Sequence, residues 1–316
     1  MAMNKTSMKY LLKAIMLTVT LGIVSCRHKE LCDEKIFAAD VKVVFDWSKS
    51  PDAHVETMRV YLFPVDGGDA LLYEFTDVQG GKITVPIGSY KALCINSDTD
   101  SLLYRNMNMY DTFEVYSPDG SMNAAAYAAL NQEESPAERV GVSPDCFYTD
   151  RIQSLRLEIT ENEQVIRFVP ENLVCRYRIE IRNVSNLQYV AAGWVTGGLS
   201  GMSVGRFLGE NQLDAESVII PFEMHSDGVS TLRTEFLTFG EYAVTKLHKV
   251  GVNVVMPDGN DKCYLYDVTE QIHNAPNPRD VHIILDGLPL PKPIVPGSGF
   301  HASVDEWENV DVDLPM

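Results

Sequence analysis

The chain has 316 residues, 26 of them Lys or Arg and 44 Asp or Glu, for a formal charge of −18. That balance repels phosphate backbones and excludes nucleic acid as a partner. With 45% apolar, 9% aromatic and 22% charged residues the chain can bury ordinary cores, its length suits two domains, and disordered, collagen-like and coiled-coil classes are excluded.

At the N-terminus Lys5, Lys9 and Lys13 lead into a mostly apolar run, 14–24, too short to span a bilayer. The run closes with Ile23-Val24-Ser25-Cys26. This order of features resembles a bacterial lipoprotein signal, in which Cys26 is lipidated and becomes the first residue of the mature chain. The alternative is an ordinary secretory signal with an incidental Cys. Residues 1–25 are therefore read as signal peptide and 26–36 as a lipidated tether. Acyl chains contribute about 0.8 kcal/mol per buried methylene, so several of them anchor stably where one does not. Loss of residues 1–25 leaves 23 bases against 44 acids, a charge of −21. Export places Cys32, Cys94, Cys146, Cys175 and Cys263 where disulfides can form, and five is odd, so at least one is free or pairs between chains. Cys94 and Cys175 fall in phase with their apolar neighbours and are read as buried thiols.

From Val41 onward the dominant period is two. Val41-Val43-Phe45-Trp47, Met58-Val60-Leu62, Ile83-Val85 and Tyr90-Ala92-Cys94 end at turns such as Asp66-Gly67-Gly68-Asp69 and Pro86-Ile87-Gly88. The helix predicted over Ser121–Asn131 is alanine-rich and is read as an excursion from a sheet edge. Alternation resumes in Leu155-Leu157-Ile159, Ile166-Phe168, Tyr177-Ile179-Ile181, Val218-Ile220-Phe222, Leu232–Phe239, Val250-Val252-Val254, Tyr264-Tyr266-Val268 and Val281-Ile283-Leu285. Short one-faced strands without long helices between them predict an all-β chain of two tandem antiparallel sandwiches, 37–162 and 163–316. No internal repeat shows in the sequence.

Signals of chemistry are sparse. Gly201-Met202-Ser203-Val204-Gly205 satisfies G-x-S-x-G, but its flanks read as strands, so a Gly-rich hairpin or loop is expected instead of a nucleophile turn. The seven histidines contain no H-x-x-x-H or H-x-H pair. Asn96-Ser97-Asp98-Thr99-Asp100 alternates oxygen side chains as a calcium loop does, yet Ser101 and Met107 stand where the loop needs Gly and Glu, so a solvated turn is expected. Ser101, in Asp100-Ser101-Leu102, is read as lying on an exposed loop. No catalytic residue, cofactor or metal is assigned.

Ser25-Cys26-Arg27-His28-Lys29-Glu30-Leu31-Cys32, Val43-Val44-Phe45-Asp46-Trp47, Met58-Arg59-Val60, Pro86-Ile87-Gly88-Ser89-Tyr90 and Cys94-Ile95-Asn96-Ser97-Asp98-Thr99 together resemble a Bacteroidales lipoprotein family, domain of unknown function 5119. That family is similar to fimbrillins and to the FimB/Mfa2 fimbrial anchor and accessory subunits. Val165–Pro170, Leu199-Ser200-Gly201-Met202 and Val304-Asp305-Glu306-Trp307 are similar to fimbrillin-like C-terminal halves. The resemblance implies two transthyretin-like sandwiches, a lipid anchor at Cys26 in the outer membrane facing the cell exterior, and assembly with other β-sandwich subunits by strand donation.

Two readings of function follow. In one, the chain is a structural anchor or accessory subunit of a fimbria-like polymer. In the other, it is a surface lipoprotein that binds a glycan or host ligand through exposed aromatics, for which Trp194 and Trp307 are the candidates, Trp47 being in phase with the core. At the tail, Val310, Val312 and Leu314 alternate with Asp311 and Asp313. This run suits either a last strand of its own domain or a strand donated to a neighbour.

Overall fold

The computed structural model describes residues 37–292, apart from 133–135, 192, 244, 257, 258 and 260. A first sandwich packs the sheet β10 (Gln164–Phe168), β1 (Ala38–Phe45), β4 (Gly80–Pro86) against the sheet β11 (Glu171–Asn172), β9 (Tyr148–Leu157), β5 (Gly88–Asn96), β2 (Met58–Pro64), β3 (Leu71–Phe75). The alternation of β1 sends Ala39, Val41, Val43 and Phe45 inward, where they meet Met58, Val60 and Leu62 of β2. Phe45 lies edge-on to Phe75 at 5.4 Å and stacks on Phe168 at 6.1 Å. The strand stops at Phe45, short of the predicted Trp47. Asp46 accepts the N–H of Ser48 and starts a 3-10 turn, leaving Trp47 half-buried with its indole N–H donated to the Val78 carbonyl.

The second sandwich packs β17 (His225–Ser226), β18 (Leu232–Thr238), β12 (Cys175–Ser185), β21 (Asp280–Pro289) against β20 (Asp261–Asp267), β19 (Lys249–Val255), β13 (Val195–Ser203), β16 (Ser217–Glu223), β8 (Arg139–Val140). Its core includes Tyr177, Ile179 and Ile181 facing Leu199, Val250 and Val252. The segment before β13, read from sequence as a strand-like flank from Tyr189, opens with a 3-10 turn (Leu187–Tyr189), and β13 starts only at Val195.

The two sandwiches share one topology. The order β10-β1-β4 over β9-β5-β2-β3 recurs as β21-β12-β18 over β20-β19-β13-β16, strand for strand and with the same directions. In each half the first strand pairs in parallel with the last, and the other repeated pairs are antiparallel.

The boundary predicted at 162/163 is corrected by this pairing. Gln164–Phe168 belongs to the first sandwich, because Val41 to Phe45 pair with Gln164 to Phe168 and bury Ile166 and Phe168 in the first core. The crossing lies between Phe168 and Cys175. Residues 97–147 also leave the first sandwich. Within them, β6 (Leu103–Arg105) and β7 (Glu114–Tyr116) join β14 (Gly205–Phe207) and β15 (Gln212–Leu213) in a four-stranded sheet shared by both halves, and β8 extends the second sandwich alongside β16.

Helix α1 (Ala124–Leu130) starts at Asn123, whose carbonyl side chain accepts the N–H groups of Ala125 and Ala126. It covers β19, β20 and β13 and buries Ala126 and Leu130, so it is part of the second domain's packing and not an edge excursion. Gly198 and Gly251 leave the space that Leu130 fills: a Cβ there would lie 3.3 and 3.0 Å from it.

A third core joins the halves. Tyr61, Phe63, Leu93 and Ile95, on the outer face of β2 and β5, are buried under Tyr110, Phe113 and Val115 of the inserted segment and Leu208 and Phe239 of the second half. Cys94 and Cys175 are buried and free as read, and Cys146 and Cys263 are exposed and free. Burial pushes the Cys94 thiol well above its ordinary pKa.

Candidate functional site

Of the residues singled out in the sequence, Cys26, Trp307, Val310, Val312 and Leu314 lie outside the described residues. Trp194 sits just before β13, 38% exposed, with no aromatic ring against it among the described residues. Ser203 is buried, and its hydroxyl donates to the carbonyls of Gly205 and Asp214 at 2.9 and 3.1 Å, so it is a packed residue at the end of β13, in a strand where the sequence led to a hairpin or loop. In the 96–101 loop, Asn96 is buried and accepts the Tyr148 N–H, Asp98 accepts that of Glu56, and Asp145 accepts those of Asp100 and Ser101. These side-chain oxygens hold the backbone in place, and Ser101 is half-buried against Asp145 instead of lying on an exposed loop.

Strand β21 is the last described strand and a sheet edge, and three side chains occupy that edge. Gln271, on the short helix α2 (Thr269–His273), donates to the Ile284 carbonyl at 3.1 Å and accepts the Ile284 N–H at 2.9 Å. Tyr264 and Tyr266 donate their hydroxyls to the carbonyls of Pro289 and Gly287, each at 2.9 Å. The primary amide offers the donor and acceptor that a neighbouring strand would offer, so the edge is guarded against pairing.

Close by, a cluster of metal-ligating side chains comes together that spacing in the sequence does not reveal. Glu241 follows β18, where Met202 forms an isolated bridge with it; His248 immediately precedes β19; His273 ends α2. Their ligating atoms all lie within 4.8 Å of one another. Glu241 Oε2 is 3.7 Å from His248 Nε2 and 3.4 Å from His273 Nε2, and the rings meet edge-on with centroids 5.2 Å apart. Among the described residues all three atoms are buried without a hydrogen-bond partner.

His248 is fully buried, and its Nδ1 lies 3.1 Å from the Ser200 carbonyl. A carbonyl only accepts, so Nδ1 carries the proton and Nε2 turns a lone pair toward Glu241 and His273. Burial, partly offset by that hydrogen bond, holds the ring below its ordinary pKa. The backbone around it is fixed from both sides: Thr269 Oγ1 accepts the His248 N–H at 2.9 Å, and the His248 carbonyl accepts the Val268 N–H at 2.9 Å. Gly201 completes the floor, with a φ of +80° and a Cβ position only 2.5 Å from His248 Nδ1, so any side chain there would displace the ring. Beside it, buried Glu138 accepts the Gly201 N–H at 3.0 Å and pairs with Lys246 at 2.8 Å.

Fold and sites together define a two-sandwich β protein whose halves are joined by a shared sheet. Residues 25–223 match the family described as domain of unknown function DUF5119, and the chain belongs to it. The matched region runs to the end of β16 and therefore holds both contributions to the shared sheet. Over 96% of its length, and 97% of the relative's, the chain is 25% identical to a Bacteroides ovatus protein proposed to be the fimbrium anchoring subunit Fim4B. A crystal structure of a proposed adhesin from Bacteroides ovatus has the same fold, with a TM-score of 0.64 and 22% identity over 82% of this chain and 95% of that one. The fimbrial anchor protein Mfa2 from Porphyromonas gingivalis scores 0.49 with 15% identity over 78% and 91%.

Proposed function

We propose that this chain is a lipid-anchored surface subunit that anchors, or is an accessory to, a fimbria-like polymer. The observation that carries the reading is the end-to-end match to the Fim4B protein, whose name is that of a fimbrium anchoring subunit. The signal-like segment supports a membrane attachment through Cys26, with the chain held at the outer face of the outer membrane by several acyl chains. Assembly proceeds by strand pairing, for which the alternating Val310, Val312 and Leu314 have suitable composition. The five acids and no base of Ser303–Met316 disfavour unspecific edge pairing.

Two measurements on the full chain in its native envelope test this. Metabolic labelling with palmitate is expected to mark the protein and to be lost in Cys26→Ala; labelling that persists in the variant defeats the anchor assignment. Purified surface polymer is expected to contain the chain, and deletion of 309–316 is expected to remove it from polymer while labelling continues. Absence of the intact chain from every polymer fraction overturns the anchoring role.

A further inference from the structure

We propose that Glu241, His248 and His273 form a binding site for a divalent transition metal of the zinc class, with at least one coordination position open to water. Three observations converge on it. First, buried polar atoms in native proteins nearly always have partners, and leaving one bare is unfavourable; here three ligating atoms from three separate segments are bare at the same point. Second, the separations of 3.4 and 3.7 Å are too long for hydrogen bonds. They suit a shared ion, since tetrahedral ligands each about 2.0–2.1 Å from zinc stand about 3.4 Å apart. Third, His248 is already in the required state: its Nδ1 proton is committed to the Ser200 carbonyl, the outer hydrogen bond that orients a metal-bound imidazole.

The donor set selects the metal. Two imidazoles and one carboxylate suit zinc and its neighbours, whereas calcium and magnesium require oxygen cages. The side chains of Glu241 and His273 are 27% and 20% exposed although their ligating atoms are buried, so an ion enters, and water completes its coordination, through movement of these two side chains. Two other nearby carboxylates stay outside the set: Glu138 is engaged by Gly201, Ser217 and Lys246, and Asp267 accepts the Thr269 N–H. A bound ion would tie the turn after β18, the start of β19 and the end of α2 to one another, none of which is fixed by a disulfide.

The test uses the full chain, stripped with a chelator and dialysed, with zinc chloride as the probe. Calorimetric titration is expected to show one tight site per chain, and thermal unfolding is expected to shift upward with zinc concentration. Cobalt(II) is expected to give the visible absorption of a four-coordinate nitrogen–oxygen site. His273→Ala and Glu241→Gln alter partly exposed residues and are expected to fold while losing more than the roughly 10–100-fold that an outer partner of a ligand is worth. His248→Ala is a secondary variant, because its ring is packed. Absence of tight zinc binding to the intact chain overturns the proposal. So does undiminished binding in both His273→Ala and Glu241→Gln, which would place the metal elsewhere.

Discussion

Arg105 and Glu114 face each other across β6 and β7, Nε to Oε2 at 2.7 Å, with the guanidinium lying 4.2 Å over the ring of Tyr116. Even so, burial, reinforced by Asp214, pushes the Glu114 carboxyl from its ordinary 4.5 up to about 7. Glu114 therefore favours folding in full below about 4.5, and that contribution is lost as pH rises through about 7. Its size over that window is on the order of 3 kcal/mol. Chemical denaturation of the wild type and of Glu114→Gln at pH 5 and pH 8 is expected to give a smaller loss of stability for the variant. An equal loss in both would show that Glu114 does not carry this dependence.

Phe113 is fully buried where the halves meet, edge-on to Tyr61 at 5.0 Å and to Tyr104 at 6.2 Å. Phe113→Ala should cost about 3–5 kcal/mol. Because the loss falls on the joining core and not on either sandwich, calorimetry is expected to resolve two unfolding transitions in the variant. One transition at reduced temperature would mean the sandwiches stay coupled without this ring.

Removing the amide of Gln271 leaves the N–H and C=O of Ile284 open on the edge of β21. Gln271→Ala is expected to lower stability by about 1–2 kcal/mol, for two hydrogen bonds. Concentration-dependent association, followed by light scattering, is the second expected effect. A variant that stays monomeric with unchanged stability would show that water serves this edge equally well.

Much of the fold was legible because its strands are amphipathic: β1, β12 and β21 alternate in sequence as they do in burial. What misled was burial on both faces. Tyr61 and Phe63 flank Leu62 in a strand whose period of two points Val60 and Leu62 into the first core, yet the third core covers them as well, with Tyr110, Phe113 and Phe239 from distant parts of the chain. The helix was seen, but nothing local tells that Leu130 fills the gap left by Gly198 and Gly251. The histidine–glutamate cluster was illegible for a similar reason. His248 and His273 are 25 positions apart and converge only because α2 folds back on the start of β19.

The lending of residues 97–147 by one sandwich to the other bears on synthesis and export. As the chain emerges from the ribosome, the first seven-strand unit is complete by Phe168. At that moment Ala126 and Leu130 have no β13 or β19 to cover, and β7 has no β14 to pair with. Domains generally fold as units from the N-terminus as they are made. Here the early unit carries an apolar flap whose seat is made later, so a chain cut near 170 would expose that flap, and the second half alone would lack its cover. The two halves are one object to the export and quality-control machinery, despite being two by topology.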